Sequence, residues 1–192
     1  MRIISGIYKG RKINLKLPKG IRPTQDAMRE TIFNILNNYV DFNNVIVADI
    51  CAGTGMLGIE ALSRGAKFSY FIDKSRISTE YIKSLINLLN IPNENFQLKN
   101  LDALQFLNHI YYSNNNINNP TLIDLFFIDP PYNTNIVNEI LSCINYMDVM
   151  NENAIIIAET SIHNSLLINN NFEIITERQF GASKVTFIKR EK

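Results

Sequence analysis

The stretch that decides the fold is Val45-Ile-Val-Ala-Asp-Ile-Cys-Ala-Gly-Thr-Gly-Met-Leu-Gly58, an apolar run followed by closely spaced glycines. The run Val45–Asp49 has the length of a buried strand, and Leu57–Arg64 has the pattern of a helix. The glycines between them form G-x-G-x-x-G, which permits a tight turn and close approach of a nucleoside ligand. A glycine turn that serves only strand–helix packing is the simpler alternative.

Outward from this stretch, predicted strands and helices alternate. Such repeats indicate a Rossmann-like α/β fold, in which a mostly parallel sheet is covered on both faces. A closing hairpin adds one antiparallel strand, so we expect seven strands. The predicted strands are Val45–Asp49, Phe68–Asp73, Phe96–Lys99, Ile123–Asp129, Ala154–Glu159, Phe172–Arg178 and Ser183–Lys189. The predicted helices between them are Leu57–Arg64, Ile77–Leu89, Ala103–Ile110, Ile136–Ile144 and Ser161–Ile168.

Residues 1–40 differ from residues 41–192 in charge and pattern, and we expect a basic extension preceding the ligand-binding domain. Arg2–Ser5 and Arg11–Leu17 alternate as a β-hairpin would, and a helix follows Thr24. The first 30 residues carry eight basic and two acidic side chains, whereas the rest carries 11 basic and 16 acidic ones. A basic arm on an acidic body indicates attraction to phosphate chains, although a solvated hairpin face is the simpler interpretation. The candidate nucleic-acid contacts are Lys9, Arg11, Lys12, Arg22 and Arg29.

Composition argues against several other classes of protein. No apolar run approaches the roughly 18 residues of a membrane span, and the N-terminus lacks a secretory signal pattern. Cys51 and Cys143 lie far apart, His109 and His163 are isolated, and no cluster has zinc-ligand spacing. We therefore expect a reduced, cytoplasmic protein without a metal site.

Asp129-Pro130-Pro131-Tyr132 ends a predicted strand, because two prolines cannot continue its hydrogen bonding. The turn would present a carboxylate, a free carbonyl and an aromatic ring at the sheet edge where ligands bind in open α/β folds. Asp129 and the Pro130 carbonyl could accept the N–H groups of an exocyclic amine, while Tyr132 stacks on the base. These three residues are the catalytic candidates, and a plain strand-ending turn with a surface tyrosine is the alternative.

Acidic residues at the ends of three predicted strands indicate which cofactor would bind. Asp49 precedes the glycines, where it disfavours a diphosphate and suits the ammonium group of S-adenosylmethionine. Asp73 ends the next strand and can hold ribose hydroxyls. Asp102, with Ala103, follows the third strand and could accept the adenine amino group, although an N-cap role is as plausible. With Gly53 and Gly55, these are the candidate cofactor contacts.

The same motifs carry a family resemblance over nearly the whole chain. Asp49–Gly55 resembles motif I of class I S-adenosylmethionine-dependent methyltransferases, and Asp129–Tyr132 resembles motif IV of those that methylate exocyclic or amide nitrogens. More specifically, several blocks are similar to RsmD-type guanine-N2 methyltransferases of small-subunit (16S) ribosomal RNA: Gly6–Arg11, Arg22–Leu36, Leu57–Gly65 and Gly181–Phe187. The resemblance implies a class I fold, the cofactor S-adenosylmethionine and methylation of a guanine N2 amine. It also implies 16S rRNA as partner, within the small subunit or an assembly intermediate, and we expect a monomer.

The chain departs from that family at three positions. Cys51 replaces a common aromatic residue, Asp73 replaces a common glutamate, and Ala27 stands where the family has an arginine. Two other functions remain as alternatives. A DNA adenine-N6 or cytosine-N4 methyltransferase would use the same turn on a flipped base, but usually has a further recognition region. A non-catalytic RNA-binding module would keep only a relic of the cofactor pocket.

Overall fold

The central element of the computed structural model is a sheet of seven strands. The structure describes residues 1–21, 23–115, 120–131 and 135–191. The strands are β1 (Ile46–Ile50), β2 (Phe68–Ile72), β3 (Phe96–Lys99), β4 (Ile123–Ile128), β5 (Met150–Ser161), β6 (Phe172–Phe180) and β7 (Ser183–Arg190). Their order is β3-β2-β1-β4-β5-β7-β6, and β7 runs antiparallel to both of its neighbours. The predicted mostly parallel sheet with one antiparallel strand is therefore confirmed.

Helices cover both faces of the sheet. They are α1 (Asp26–Leu36), α2 (Met56–Ser63), α3 (Arg76–Leu89), α4 (Ala103–Asn114) and α5 (Ile136–Tyr146). Side chains of α1, α2 and α3 share one apolar cluster with Leu125 and Phe127, whereas α4 and α5 share the other with Phe126 and Ile128. This alternation along β4 follows from the two-residue period of a strand that is buried on both faces. No helix in the described part of the chain is long and apolar enough to cross a membrane.

The helix predicted over Ser161–Ile168 is wrong, because Ser161 ends β5 and residues 162–168 form turns and irregular backbone. The Asn138 side chain of α5 binds it instead, accepting the Leu167 N–H at 2.9 Å and donating to the Ser165 carbonyl at 3.3 Å. Backbone groups that bond to a neighbouring side chain cannot complete a helical ladder. The segment is therefore an extended loop attached to α5.

The predicted N-terminal hairpin is reduced to a single bridge. Arg2 and Lys12 pair antiparallel, and the Ile3 N–H donates to the Arg11 carbonyl at 3.1 Å, but no regular strand forms. The prediction of two strands is wrong because the backbone N–H groups of Ile4 and Ser5 bond to α2 rather than to a partner strand. We refer to residues 1–13 as the N-terminal arm.

The arm is held against the carboxyl end of α2 by a buried carboxylate. Glu60 is fully buried and accepts the N–H groups of Ile4 and Ser5, both at 2.9 Å. The Ile7 N–H donates to the Ser63 carbonyl at 2.7 Å. Gly6 has a φ of +81°, and a Cβ there would lie 1.7 Å from that carbonyl oxygen. Close contact therefore positions the arm, while the division into residues 1–40 and 41–192 stays a prediction.

Candidate active site

A cavity of about 1130 Å³ opens at the carboxyl edge of the parallel strands. It is lined by the segments that follow β1, β2, β3 and β4 and by the end of β5, because parallel strands bring their carboxyl ends together. Phe180–Ser183, at the turn between β6 and β7, completes one wall. Its size suits a nucleoside ligand together with a second reactant.

The three glycines after β1 are required for different structural reasons. Gly53 lines the cavity with a φ of +54°. Gly55 has a φ of +71° and lies behind the turn, where a Cβ would come within 3.0 Å of Ile82 on α3. At Gly58 a Cβ would lie 2.4 Å from the Phe71 ring, so this glycine permits close packing of α2 on β2. Only Gly53 of the two predicted glycine contacts faces the cavity.

Asp73 lies where the sequence predicts it, on the cavity wall after β2. Its two carboxylate oxygens accept the N–H groups of Gly53 and Ser75, at 2.9 and 2.8 Å. The carboxylate thus joins the β1 and β2 turns, and its oxygens retain lone pairs for a further donor. This geometry suits the grip on ribose hydroxyls that the sequence predicts.

Asp49 does not line the cavity, contrary to the prediction that it meets an ammonium group directly. It is buried behind the glycine turn, and one carboxyl oxygen accepts the Gly58 N–H at 2.9 Å. Burial raises the pKa of Asp49 to about 7; the bond from Gly58 lowers it and the charge of Asp73 raises it further. The structure therefore gives Asp49 a supporting place beneath the turn.

Asp102 and Ala103 both line the cavity, as predicted. Asp102 also caps α4, because its carboxylate accepts the Leu104 N–H at 2.9 Å. The Gln105 side chain accepts the Asp102 N–H at 3.3 Å, which completes a capping box. The N-cap interpretation is confirmed, and the contact with adenine stays a prediction.

Cys51 lies on the wall of the cavity, and its pKa reflects the acidic groups around it. Burial raises the pKa of the Cys51 thiol to about 12, with further contributions from the charges of Asp73, Asp129, Asp102 and Asp49. Four carboxyl groups therefore surround one point of the wall. Such a site favours a cationic ligand and disfavours a diphosphate.

The Asp129-Pro-Pro turn closes the cavity beside the glycine turn. The Asp129 N–H donates to the Ile50 carbonyl at 3.3 Å, and the two prolines then end β4. Asp129, Pro130 and Pro131 all line the cavity, so the structure brings two predicted catalytic residues to four of the predicted cofactor contacts: Gly53, Asp73, Asp102 and Ala103. The third, Tyr132, lies outside the described residues, and its stacking role stays a prediction.

Asp129 has a carboxyl neighbour that the sequence analysis missed. The register that pairs Ile128 with Ala158 brings Glu159 of β5 next to Asp129, and their side chains hydrogen-bond. Burial raises the pKa of Asp129 well above its ordinary value, as do the charges of Glu159 and Asp49 and the bond to Glu159. A hydrogen bond between two carboxyl groups requires a proton, and the raised pKa of Asp129 favours the protonated form of that carboxyl.

A second missed feature is the loop before α1, where Lys19, Ile21, Pro23 and Thr24 line the cavity. This loop is positioned from beneath by Arg29, which is fully buried. The Arg29 guanidinium donates to three oxygens at the base of the arm and loop: the Thr24 carbonyl (2.6 Å), the Arg2 carbonyl (2.7 Å) and the Asp26 carboxylate (3.0 Å). The predicted RNA contact through Arg29 is therefore wrong, because this side chain lies in the interior.

Three other predicted RNA contacts belong to the N-terminal arm. Lys9, Arg11 and Lys12 are exposed, and the Arg11 guanidinium donates to the carbonyl of Leu89, the last residue of α3. The first turn of α3 borders the cavity, so the 14 residues of this helix separate the Arg11 guanidinium from the cavity by about 20 Å. Arg22 lies outside the described residues. Two further lysines are exposed: Lys16 lies between the arm and the cavity loop along the chain, and Lys19 belongs to that loop.

Comparison with known proteins agrees with this geometry. A family model described as "Conserved hypothetical protein 95" matches residues 1–189. The chain belongs to this family. Proteins named ribosomal RNA small subunit methyltransferase D from Haemophilus influenzae and Escherichia coli K12 are 31% and 30% identical to it, over 94% and 100% of this chain and 89% and 90% of theirs. The predicted resemblance is thereby confirmed.

Solved structures give the same result for the fold. The structure named "Putative methyltransferase yhhF" from Escherichia coli superposes with a TM-score of 0.81 at 27% identity, covering 100% of this chain and 98% of that one. A structure named "SMU.776, a putative methyltransferase complexed with SAH", 16% identical, has a TM-score of 0.67 over 84% of this chain and 49% of its own, and shares the fold. The predicted class I methyltransferase fold is confirmed.

Proposed function

We propose that this protein transfers the methyl group of S-adenosylmethionine to the exocyclic N2 amine of a guanine in small-subunit (16S) ribosomal RNA. Its family makes it an S-adenosylmethionine-dependent rRNA methyltransferase. The observation that carries the proposal for the site is that the Asp129-Pro-Pro turn and the glycine turn after β1 line one cavity. The amine-binding and cofactor-binding groups are thus adjacent.

The cavity fits the cofactor in charge and shape. When bound, S-adenosylmethionine supplies a methyl group on a positively charged sulfonium, which is already activated for transfer. The acids around Cys51 favour such a cation over a dinucleotide. Gly53 presents its backbone to the cofactor, and Asp73 accepts hydrogen bonds from the ribose hydroxyls. Asp102 and Ala103 border the adenine. The neighbouring fold solved with SAH supports this assignment.

The residues around the amine then act mainly by positioning. A guanine N2 amine is a weak nucleophile, because its lone pair is delocalised into the ring. The Asp129 carboxyl and the Pro130 carbonyl accept its two N–H groups and favour a pyramidal nitrogen whose lone pair points at the methyl group. Correct placement supplies most of the acceleration. Tyr132 keeps its predicted role of stacking on the base.

The carboxyl pair Asp129 and Glu159 also stabilises the positive charge that develops on the nitrogen during the reaction. The nitrogen becomes positive as the new N–C bond forms, and it must then lose a proton. Asp129 and Glu159 together hold one proton and one negative charge, close to the reacting nitrogen. That charge stabilises the developing cation in a poorly hydrated site. The raised pKa of Asp129 also makes this carboxyl a better proton acceptor near neutral pH.

Exposed lysines support the approach of RNA. We call Lys9, Lys12, Lys16 and Lys19 the basic track, since they follow the chain from the arm to the cavity. A strand of RNA bound along about 20 Å of this track would reach the cavity with its target base splayed out. The proposal includes a cytoplasmic, monomeric enzyme that acts on the small subunit or on an assembly intermediate.

Methyl transfer to a panel of acceptors tests the proposal. Labelled cofactor is offered with small ribosomal subunits, free ribosomal RNA, duplex DNA and bulk protein, and the modified nucleoside is mapped by mass spectrometry. We expect N2-methylguanosine at one position of 16S rRNA. N6-methyladenine or N4-methylcytosine in the DNA would establish the DNA rival. Cofactor binding by calorimetry with no transfer to any acceptor would establish the non-catalytic module.

A further inference from the structure

Glu159 borders two cavities at once. Besides the large cavity, it lines a smaller one of about 470 Å³, and both are bordered by Pro130 and Pro131. The rest of the smaller cavity comes from Thr160, from α5 residues including Asn138, and from segment 163–166. The prolines and the carboxyl pair thus form a partition between the cofactor region and a second space.

Thr160, which lines the smaller cavity, carries a hydroxyl that is buried in the protein. Thr160 is only 5% exposed, and its hydroxyl has no hydrogen-bond partner among the described residues. A buried hydroxyl without a partner is costly in a folded protein unless a ligand or water binds it. Together with Glu159 and Asn138, Thr160 gives the wall of the smaller cavity a polar character.

Guanine has the polar edge that this arrangement fits. Its N1–H and N2–H₂ groups lie side by side and are all donors, and a carboxylate accepts from such donors. Asp129 is already assigned to the N2 amine, and Glu159 is the next acceptor along the partition. One Glu159 oxygen can bind the N1–H while the other keeps the bond to Asp129.

We propose that Glu159 is the residue that selects guanine, by accepting its N1–H while Asp129 and Pro130 hold the N2 amine; this inference rests on the proposed function. A purine with a lone pair at N1 places that lone pair against the Glu159 carboxylate. It loses a hydrogen bond and leaves a buried acceptor unsatisfied. Glu159 thus rejects bases that have an amine but no neighbouring N–H.

The test compares guanine with 2-aminopurine at the mapped target position, in small-subunit RNA assembled with either base. 2-Aminopurine keeps the N2 amine, but its N1 is an acceptor. We expect wild-type kcat/KM to favour guanine by about 100-fold or more. In Glu159→Gln the carboxamide can donate to N1 of 2-aminopurine, so the ratio should fall to about tenfold or less. Glu152→Gln, an exposed change on the same strand, should leave the ratio unchanged.

The ratio distinguishes selection from a purely structural role. A structural defect in Glu159→Gln lowers kcat/KM for both bases equally, and an unchanged ratio would overturn the inference. Equal use of the two bases by wild-type protein would overturn it as well, whether or not the variant folds. If wild-type protein methylates no guanine N2 at all, the proposed function fails. Guanine N2 methylation with an unchanged ratio in Glu159→Gln rejects only the role of Glu159.

Discussion

The two ends of helices α2 and α3 differ in how they hold charge. At the cavity end, Asp49 is buried, Asp129 is half-buried, and burial raises the pKa of both carboxyls. At the arm end, Lys9 and Lys12 are exposed to solvent. Buried charges keep fixed positions and respond strongly to neighbours, whereas exposed ones are screened and mobile. The cavity thus suits exact placement of a reacting group, and the arm suits attraction of a polyanion.

The arm nevertheless has a fixed attachment of its own. Beneath the exposed lysines, buried Glu60 binds two backbone N–H groups and the Arg64 guanidinium, the latter at 3.0 Å. Arg64 in turn lies over the Phe33 ring, 4.6 Å from its centroid. The buried charges beneath the arm therefore hold it against α2, and the exposed lysines remain available to bind a partner. The four predictions below test this division of roles, beginning with the largest expected effect.

Removing the carboxyl at the reacting nitrogen should have the greatest consequence. We expect Asp129→Ala to lower kcat by about 10²–10³-fold, because an acceptor that orients the amine and balances its charge is removed. Cofactor affinity, measured by calorimetry, should change only a few-fold. Asp148→Ala removes an exposed carboxylate as a matched control. Near-normal turnover of Asp129→Ala would refute the positioning mechanism.

Two glycines of the arm have almost the same backbone and different surroundings. Gly6 and Gly10 have φ values of +81° and +78°, but only Gly6 lies against α2, while Gly10 has open space. Gly10→Ala should lower the free energy of unfolding by about 1–2 kcal/mol, the cost of a left-handed residue. Gly6→Ala should cost a further ~1–3 kcal/mol from overpacking or undocking. Equal denaturant midpoints for the two variants would show that the arm is not docked as described.

The buried acid beneath the glycine turn should make stability depend on pH. The pKa of Asp49 is about 7 in the folded protein and 3.8 in its ordinary state, so folding favours the protonated form. The contribution of Asp49 to the free energy of unfolding is therefore full below about pH 4, and it is lost as the pH rises through 7. In cofactor-free protein, the free energy of unfolding falls between pH 5 and pH 8, and Asp49→Asn should make this decrease smaller by on the order of 1–3 kcal/mol. Denaturant unfolding at both pH values measures it, and a slope equal to that of wild type would contradict the burial.

The exposed lysines should respond to salt instead. We expect Lys9→Gln with Lys12→Gln to weaken RNA binding roughly tenfold at low salt. The slope of log affinity against log salt should become shallower by about 0.7–0.9 for each phosphate that the variant no longer neutralises. Turnover at saturating RNA should not change. Lys67→Gln with Lys83→Gln, both exposed, is the control. If the salt slope is unaffected in the arm variant, the arm does not bind the RNA backbone.

The sequence was a sound guide wherever a local pattern sufficed. The glycine turn, Asp73, Asp102 and Asp129 each follow a strand, and parallel strands bring such positions to one edge. It failed for Arg29, because a basic residue on a predicted helix is expected to be exposed unless its partners are known. Those partners are the carbonyls of Arg2 and Thr24, and only folding brings them to the guanidinium.

What the sequence determined by itself was therefore the order of elements, the glycine turn, the Asp129-Pro-Pro turn and the family. Only the tertiary structure decided that Glu159 pairs with Asp129, that the loop before α1 walls the cavity, and that the Arg11 guanidinium lies about 20 Å away from it. The physical reason is the range of the interactions. Hydrophobic period and turn chemistry act over a few residues, whereas strand register and helix length join groups that are far apart in the chain.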